Sequence, residues 1–488
     1  MVLVLGQGAA AGPLFEDRSG GLPPHEYGGG WEHFVGGGIA VLDCNADGLP
    51  DLFAAGGENP AQLMVNRGAF SFAASPIPEM TAVTGAYPID MNADGIKDLF
   101  VLRAGANIAL KGGPSCTFTD ATVMWGLPQD DRWSTAFSAW WEEGADRPTM
   151  AIGNYVDRTD PDGPFEACDD NMILHPSSDG YTAEPLTPGF CPLSILAAQD
   201  ARGRHSLRLS NDRHYYVKGG FEQMWDITEQ RFLGADDGWK NVALWGMGIA
   251  SRDLNGDGRD EVMLTSMGDQ LLQLAQPDGT YRAAPYDIGS YAQRPHTGGD
   301  GRPSTGWHAE FGDVDNDGRA DLFIAKGNVD QMPGMATRDP NNMLMQQADG
   351  TFVETAQDAG VATMARSRGA ALADFDNDGR LDLVVVNRRA PMELYRNVTP
   401  QTGQWLRIAL VQEGPNRDAI GARITVAGPA GRASVQQVIG GGHAGGQLLP
   451  RHFGLGGVLE AEVRVDWPDG TLSRHVLRAG ATHVLRKP

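Results

Sequence analysis

The chain has 488 residues, too many for one ordinary compact domain unless it is built from repeats. Its 41% apolar residues support a real core, and 39 basic against 62 acidic residues leave −23, a balance that disfavours nucleic acid and anionic membranes as partners. No run of about 20 apolar residues is present, so no transmembrane helix is expected, and 65 Gly with 30 Pro favour short strands joined by tight turns.

In chain order, the start "MVLVLGQGAAAGP" has a short apolar stretch and small residues but no basic lead. Residues 1–12 read either as a trimmed secretory-signal remnant or as a flexible lead. "GPLFEDRS" (12–19) resembles an outer strand. Then comes the first of five similar acidic loops: "DCNADGLPDLF" at 43, "DMNADGIKDLF" at 90, "DLNGDGRDEVM" at 253, "DVDNDGRADLF" at 313 and "DFDNDGRLDLV" at 374. All read D-x-[D/N]-x-D-G-x-x-[D/E] and run into apolar β-formers. Their first aspartates are separated by 47, 163, 60 and 61 residues. The long gap divides into three steps of about 54, which places two degenerate units inside it.

The third unit is expected over "STAFSAWWEEGADRPTMAIGNYV" (134–156) and "NMILHPSSDGYTAEPL" (171–186), and the fourth over "RHSLRLSNDRHYYVKGGFEQMWDI" (204–227). Both keep the strand rhythm and lose the acidic loop. Four short strands per roughly 50 residues is the signature of a propeller blade, so the fold class is all-β, a seven-bladed propeller over 13–400. The seventh unit ends near Val398 without an outer strand; pairing 12–19 there would close the ring and remove a sheet edge. The tail, 401–488, alternates apolar and polar residues in "WLRIALV", "ARITVAG", "ASVQQVIG" and "EAEVRVDWP". It is expected to form four or five strands of a small sandwich or barrel.

The four cysteines are Cys44, Cys116, Cys168 and Cys191, with no Cys-x-x-Cys. Cys168 and Cys191 bracket a Pro/Asp/Gly-rich stretch, 157–192, read as an insertion that their disulfide would staple in an oxidising compartment. Whether Cys44 and Cys116 pair is open.

Crowded carboxylates need a cation. Side chains at positions 1, 3, 5 and 9 of each loop can wrap one ion, helped by the backbone carbonyl at position 7, with Gly at position 6 for the turn. The oxygen-only donors select Ca²⁺ over Zn²⁺ or Mg²⁺. The expected ligands are Asp43, Asn45, Asp47, Leu49 and Asp51; Asp90, Asn92, Asp94, Ile96 and Asp98; Asp253, Asn255, Asp257, Arg259 and Glu261; Asp313, Asp315, Asp317, Arg319 and Asp321; and Asp374, Asp376, Asp378, Arg380 and Asp382. Position 12 is apolar in every loop, which excludes an EF-hand. A single such loop reads equally well as a solvated turn. Five in register point to about five structural Ca²⁺.

These loops resemble the FG-GAP/VCBS repeats of integrin-type β-propellers. "NRDAIGARITV" (416–426), "RHFGLGG" (451–457) and "VRVDWPDG" (463–470) resemble the ASPIC/UnbV domain that follows such propellers in the cartilage acidic protein 1 family. The resemblance implies a secreted, periplasmic or cell-surface calcium-binding propeller with a small β appendix, described in the family mostly as a binding or adhesion protein. "GGGHAGGQ" (440–447) departs from the Ser/Tyr-rich form expected before the "HFGLG" motif.

Neither a G-x-S-x-G elbow nor H-E-x-x-H nor a Walker loop is present. Segments leading into the inner strands carry His33, Arg132, Trp133, Trp245, Trp307, His308 and Arg368, a set suited to a carbohydrate or a carboxylated ligand at one mouth of the ring. The bland reading is tryptophans between blades and arginines in salt bridges. Two functions stand: a non-catalytic binding or adhesion module for carbohydrate or protein partners, or a propeller enzyme on sugars or polysaccharides, a lyase or dehydratase, with its site at the channel mouth.

Overall fold

The computed structural model describes residues 12–160, 167–212, 220–291, 302–329 and 334–488. Residues 1–11, most of the lead or signal remnant, and 213–219 of the fourth unit lie outside these. Among the described residues seven propeller sheets follow one another along the chain, six of four strands and the first of five. Their first strands are Ile39–Leu42, Val83–Ile89, Ser134–Trp140, Pro192–Gln199, Gly246–Arg252, Gly306–Gly312 and Ser367–Ala373. Each packs on the next, and the last on the first, so the seven strands line a closed ring. They are covered on both faces, hence their small and apolar composition: "VTGAYPI" and "SRGAALA" are buried at every position. Between blades the walls are aromatic, as where Phe100 stacks on Phe137 at 4.4 Å.

Ring closure follows the sequence expectation. Phe15–Asp17 pairs antiparallel with Glu393–Asn397, Phe15 opposite Asn397, and supplies the outer strand of blade seven. Phe15 is buried among Val314, Leu372, Leu381 and Tyr395. Both disulfides form: Cys168–Cys191 with Cα atoms 5.1 Å apart and Cys44–Cys116 at 4.9 Å. One expectation needs correction. Residues 157–192 are not a single looped-out insertion, because Asn171–Ser177 and Gly180–Leu186 within them are the outer hairpin of blade three. The disulfide therefore ties the connector before that hairpin to the start of blade four.

The tail is richer than four or five strands. One sheet holds Gly431–Gln436, Arg423–Gly428, Glu460–Asp466 and Leu472–Arg478; a second holds Arg451–Gly456, Gln404–Val411 and Ala481–Arg486. They enclose Leu406, Ile424, Phe453, Val463 and Trp467, as the alternating burial of Gln404–Val411 requires. A further short strand, Gln447–Leu448, leaves the tail and pairs in parallel with Ile39–Leu42 of blade one.

Deleting residues 1–20 is expected to lower the melting temperature, and Phe15→Ala alone to cost about 3–5 kcal/mol, both read by thermal denaturation. An unchanged melting point for the deletion would contradict closure by this strand.

Candidate functional site

The five acidic loops join the first and second strands of blades one, two, five, six and seven, so register alone sets them on one face of the ring. Position 6 is left-handed in all of them, with φ of +84° at Gly48, +86° at Gly95 and Gly258, +92° at Gly318 and +87° at Gly379. That turn aims each glycine N–H at the first aspartate, at 2.9, 3.0, 2.9, 2.8 and 2.9 Å for Asp43, Asp90, Asp253, Asp313 and Asp374. The position-9 carboxylates Asp51, Asp98, Glu261, Asp321 and Asp382 accept the N–H of Cys44, Met91, Leu254, Val314 and Phe375. Four of them also accept an N–H from the third strand of their blade: Asn66, Gly112, Gln346 and Asn397.

In two loops three of the four expected acidic ligands converge, the position-5 acids Asp317 and Asp378 standing outside the cluster. Asp313, Asp315 and Asp321, and likewise Asp374, Asp376 and Asp382, each bring carboxylate oxygens within 4.8 Å of one another. Asn45, Asn92 and Asn255 stand at position 3 of the other loops and substitute an amide oxygen. Burial, then neighbouring carboxylates, hold Asp313 and Asp321 well above the usual range. Burial also raises Asp51 to about 6, Asp98 to about 7, Glu261 to about 7, Asp317 to about 6 and Asp374 to about 6. Buried like charges facing oxygen-lined space fit a hard divalent cation. Arg259, Arg319 and Arg380, expected to offer carbonyls, also pair by side chain with Asp257, Asp317 and Asp378. Cys44, Asp51 and Cys116 also converge, but both sulfurs are in a disulfide and offer no thiolate.

The acidic face is a platform, which sequence reasoning missed. The tail sits on it. Lys97 pairs with Asp418 at 2.5 Å; Arg423 and Gln436 both reach Asp260 at 2.7 Å; Gly456 N–H donates to Asn316 O at 2.7 Å; Arg407 bonds Asn377 at 2.8 Å and pairs with Asp374 at 3.3 Å. The signal was in the charges. Residues 401–488 hold ten Lys/Arg against six Asp/Glu in a chain that totals −23.

From the tail, the "GGGHAGGQ" segment enters the ring axis and touches every blade. Gly446 O accepts from Val41, Ala444 O from Ala86, Ile439 O from Ala139 and Gly442 O from Ile249; Gly441 N–H donates to Ile195 O. His443 N–H donates to His308 Nδ1 at 3.1 Å, and Gln447 Nε2 to Leu372 O at 3.2 Å. The glycines have a steric reason: a Cβ on Gly38 or Gly85 would lie 1.8 or 1.6 Å from Ala444 O, and one on Gly445 would lie 2.2 Å from Ile39 O.

The expected ligand-binding residues are placed differently from an open mouth. Trp133, Trp307, Arg368, His33 and His308 are buried. Arg368 lies 3.9 Å over the Trp307 ring and donates to Phe34 O at 3.0 Å, tying blades six and seven to the segment before blade one. Trp133 packs edge-on against Trp31, Phe34 and Tyr155. His308 faces Glu310 at 3.3 Å. Arg132, half-exposed, pairs with Asp169, and Trp31 and Trp245 remain half-buried over this aromatic cluster, on the face opposite the tail. The cluster forms because aromatic faces that could have bound a ligand are satisfied by each other.

The sequence matches the FG-GAP-like repeat family over residues 43–101, 253–324 and 334–385, and the ASPIC and UnbV family over 412–487. This is therefore an FG-GAP-like repeat β-propeller carrying an ASPIC and UnbV domain. Within that class the chain is similar to the cartilage acidic protein 1 proteins. It is 27% identical to cartilage acidic protein 1 of Homo sapiens over 178 residues, 36% of this chain and 26% of that protein. It is 24% identical to the Xenopus tropicalis protein over 244 residues, 49% of this chain and 36% of that one. The matches thus span about a quarter to a third of those relatives' length. A solved structure of BBS1N in complex with ARL6DN is similar at TM-score 0.46 and 10% identity, over 80% of this chain and 98% of that one.

Two outcomes are expected. Gly85→Ala should expose the 438–449 segment to hydrogen exchange and protease, whereas Gly234→Ala, with nothing within 4 Å, should not. Equal protection in both would refute the axial plug. In chelator, the raised carboxylate values mean the fold prefers the protonated acids. Stability is then full below the unfolded value near 4 and is lost as pH rises through about 6 to 7, so the melting temperature should fall across that window. A cation that binds the ionised form should reverse the trend, and excess calcium is the one to add. A chelated melting point that rises with pH would contradict this.

Proposed function

We propose that this chain is a calcium-loaded binding module of an extracytoplasmic compartment, secreted, periplasmic or on the cell surface, that recognises a carbohydrate or protein partner. The observation that carries the reading is the ring of five acidic loops on one face, two with three converging carboxylates, held beneath a tail of opposite charge. Calcium at these loops would neutralise buried acids and fix the platform on which the tail rests, so its role is structural. The two disulfides suit an oxidising compartment. Among the described residues no helix is long and apolar enough to cross a membrane.

The tail occupies one face and the axis, which directs the recognition reading to the opposite face. There Trp31, Arg132 and Trp245 keep partly exposed edges suited to sugar rings or to a protein's polar rim.

The test is elemental analysis with a glycan array. Equilibrium dialysis against calcium followed by metal analysis should find about five ions per chain, falling by about two in a variant with Asp313 and Asp374 changed to Asn. Glycan or protein capture by the calcium-loaded chain should drop with Trp31→Ala. No bound calcium would overturn the metal reading, and capture that ignores Trp31 would overturn the choice of face.

A further inference from the structure

Beneath the axial plug, between the inner strands of blades five to seven and the tail, the channel widens into a cavity of about 410 Å³. Its lining reaches Gly48, Asn377 and Thr482, which are exposed, so it communicates with solvent there. Most of the wall is small or aliphatic, from Ile249, Ala309, Ala371 and Leu449. Three guanidinium groups interrupt it: Arg252, Arg407 and Arg451.

These cations are not fully matched. Arg252 is 9% exposed, its Nε is buried without a hydrogen-bond partner among the described residues, and its guanidinium lies 5.5 Å over the Phe453 ring. The carboxylates around it are engaged elsewhere. Asp260 binds Arg423 and Gln436, Asp253 accepts from Gly256 and Gly258, and Asp313 accepts from Asp317 and Gly318. Arg407 Nε is likewise buried without a partner. Among the described residues, Arg451 donates to the neutral oxygens of Gln437, at 2.7 Å, and Val438, at 3.2 Å. Burial lowers Arg451 to about 10, Glu310 opposing the shift and the charge of Arg252 adding to it.

The acids in the lining are engaged by other donors as well. Glu310 accepts from Gln447 and from Leu372 N–H and faces His308. Asp43 accepts from Asp47 and Gly48 of its own loop, and Asp374 from Asp378 and Gly379 as well as pairing with Arg407. A buried guanidinium whose Nε meets no acceptor is costly, even with carboxylates nearby that are engaged by other donors, and an apolar-walled cavity offers the place for an acceptor.

We propose that this interdomain cavity binds a small organic carboxylate, its anionic group held by Arg252 together with Arg407 and Arg451 and its apolar body laid against the inner strands of blades five to seven. The site joins propeller and tail, so occupancy also fastens the two together. It stands independently of the glycan-facing surface, and its failure would leave the calcium and glycan readings untouched.

The test uses the full chain in saturating calcium, with calorimetric titration of benzoate, cyclohexanecarboxylate and hexanoate, each beside its neutral amide. At least one acid should bind saturably at about one per chain and at least about tenfold more tightly than its amide. Arg252→Gln should weaken that acid about tenfold or more, and Arg252→Lys less. Should Arg252→Gln fail to fold, the acid-against-amide comparison and Arg252→Lys decide. No saturable binding of any acid, equal binding of acid and amide, or unchanged affinity in a folded Arg252→Gln would overturn the proposal.

Discussion

The contact between a basic tail and a ring of acidic loops is the constraint on which the rest of this structure depends. Carboxylates that repel one another are gathered on one face by the propeller's own register. The tail then covers that face, with Arg407, Arg423 and Lys97 forming ion pairs across the boundary. Burying so many acids is unfavourable in isolation, and their raised pKa values record it. Two remedies are available: cations inside the loops and guanidinium groups above them. Both act at the same surface, so loop chemistry and domain docking are one problem rather than two.

The axial segment follows from the same contact. Once the tail is seated, its glycine-rich excursion lies where a channel would otherwise run. Its backbone then finds partners in strands whose inner edges have N–H and C=O groups to satisfy. Glycine is required on both sides of this boundary, at Gly38 and Gly85 as much as at Gly445, because peptide oxygens approach closer than a Cβ permits. The aromatic and arginine residues on the opposite mouth consequently pack as a lid over the axis. Trp307 and Arg368 hold blades together there, so chemistry that looks like a ligand site in one dimension is spent on cohesion in three.

Much of this was legible in the sequence. Blade number, the five loops and the closing role of residues 12–19 all follow from period and pattern, which are local and repeated. The pairing of Cys44 with Cys116 was not legible, since it depends on blades one and two lying side by side. The strand rhythm of residues 171–186 placed them in blade three, as the structure does, while the cysteine bracket around them misled by suggesting an insertion over 157–192. The largest omission was the docking of the tail. "GGGHAGGQ" looks like a flexible loop when read alone, and only the positions of Ala86, Ile249 and His308 from distant blades give it a shape. The charge contrast of the tail was visible, yet scattered arginines converge only once the strands carrying them are folded.

Closure by the first strand has a consequence for the order of events during synthesis. Leu14 N–H reaches Thr399 across 385 residues, and the plug binds blades one to seven from beyond residue 438. Neither the ring nor its axis can be completed until nearly the whole chain has emerged, which makes this a high-contact-order fold whose closing contacts come last. Until then the acidic face stands open to solvent, and the first blade waits for a neighbour that is made last.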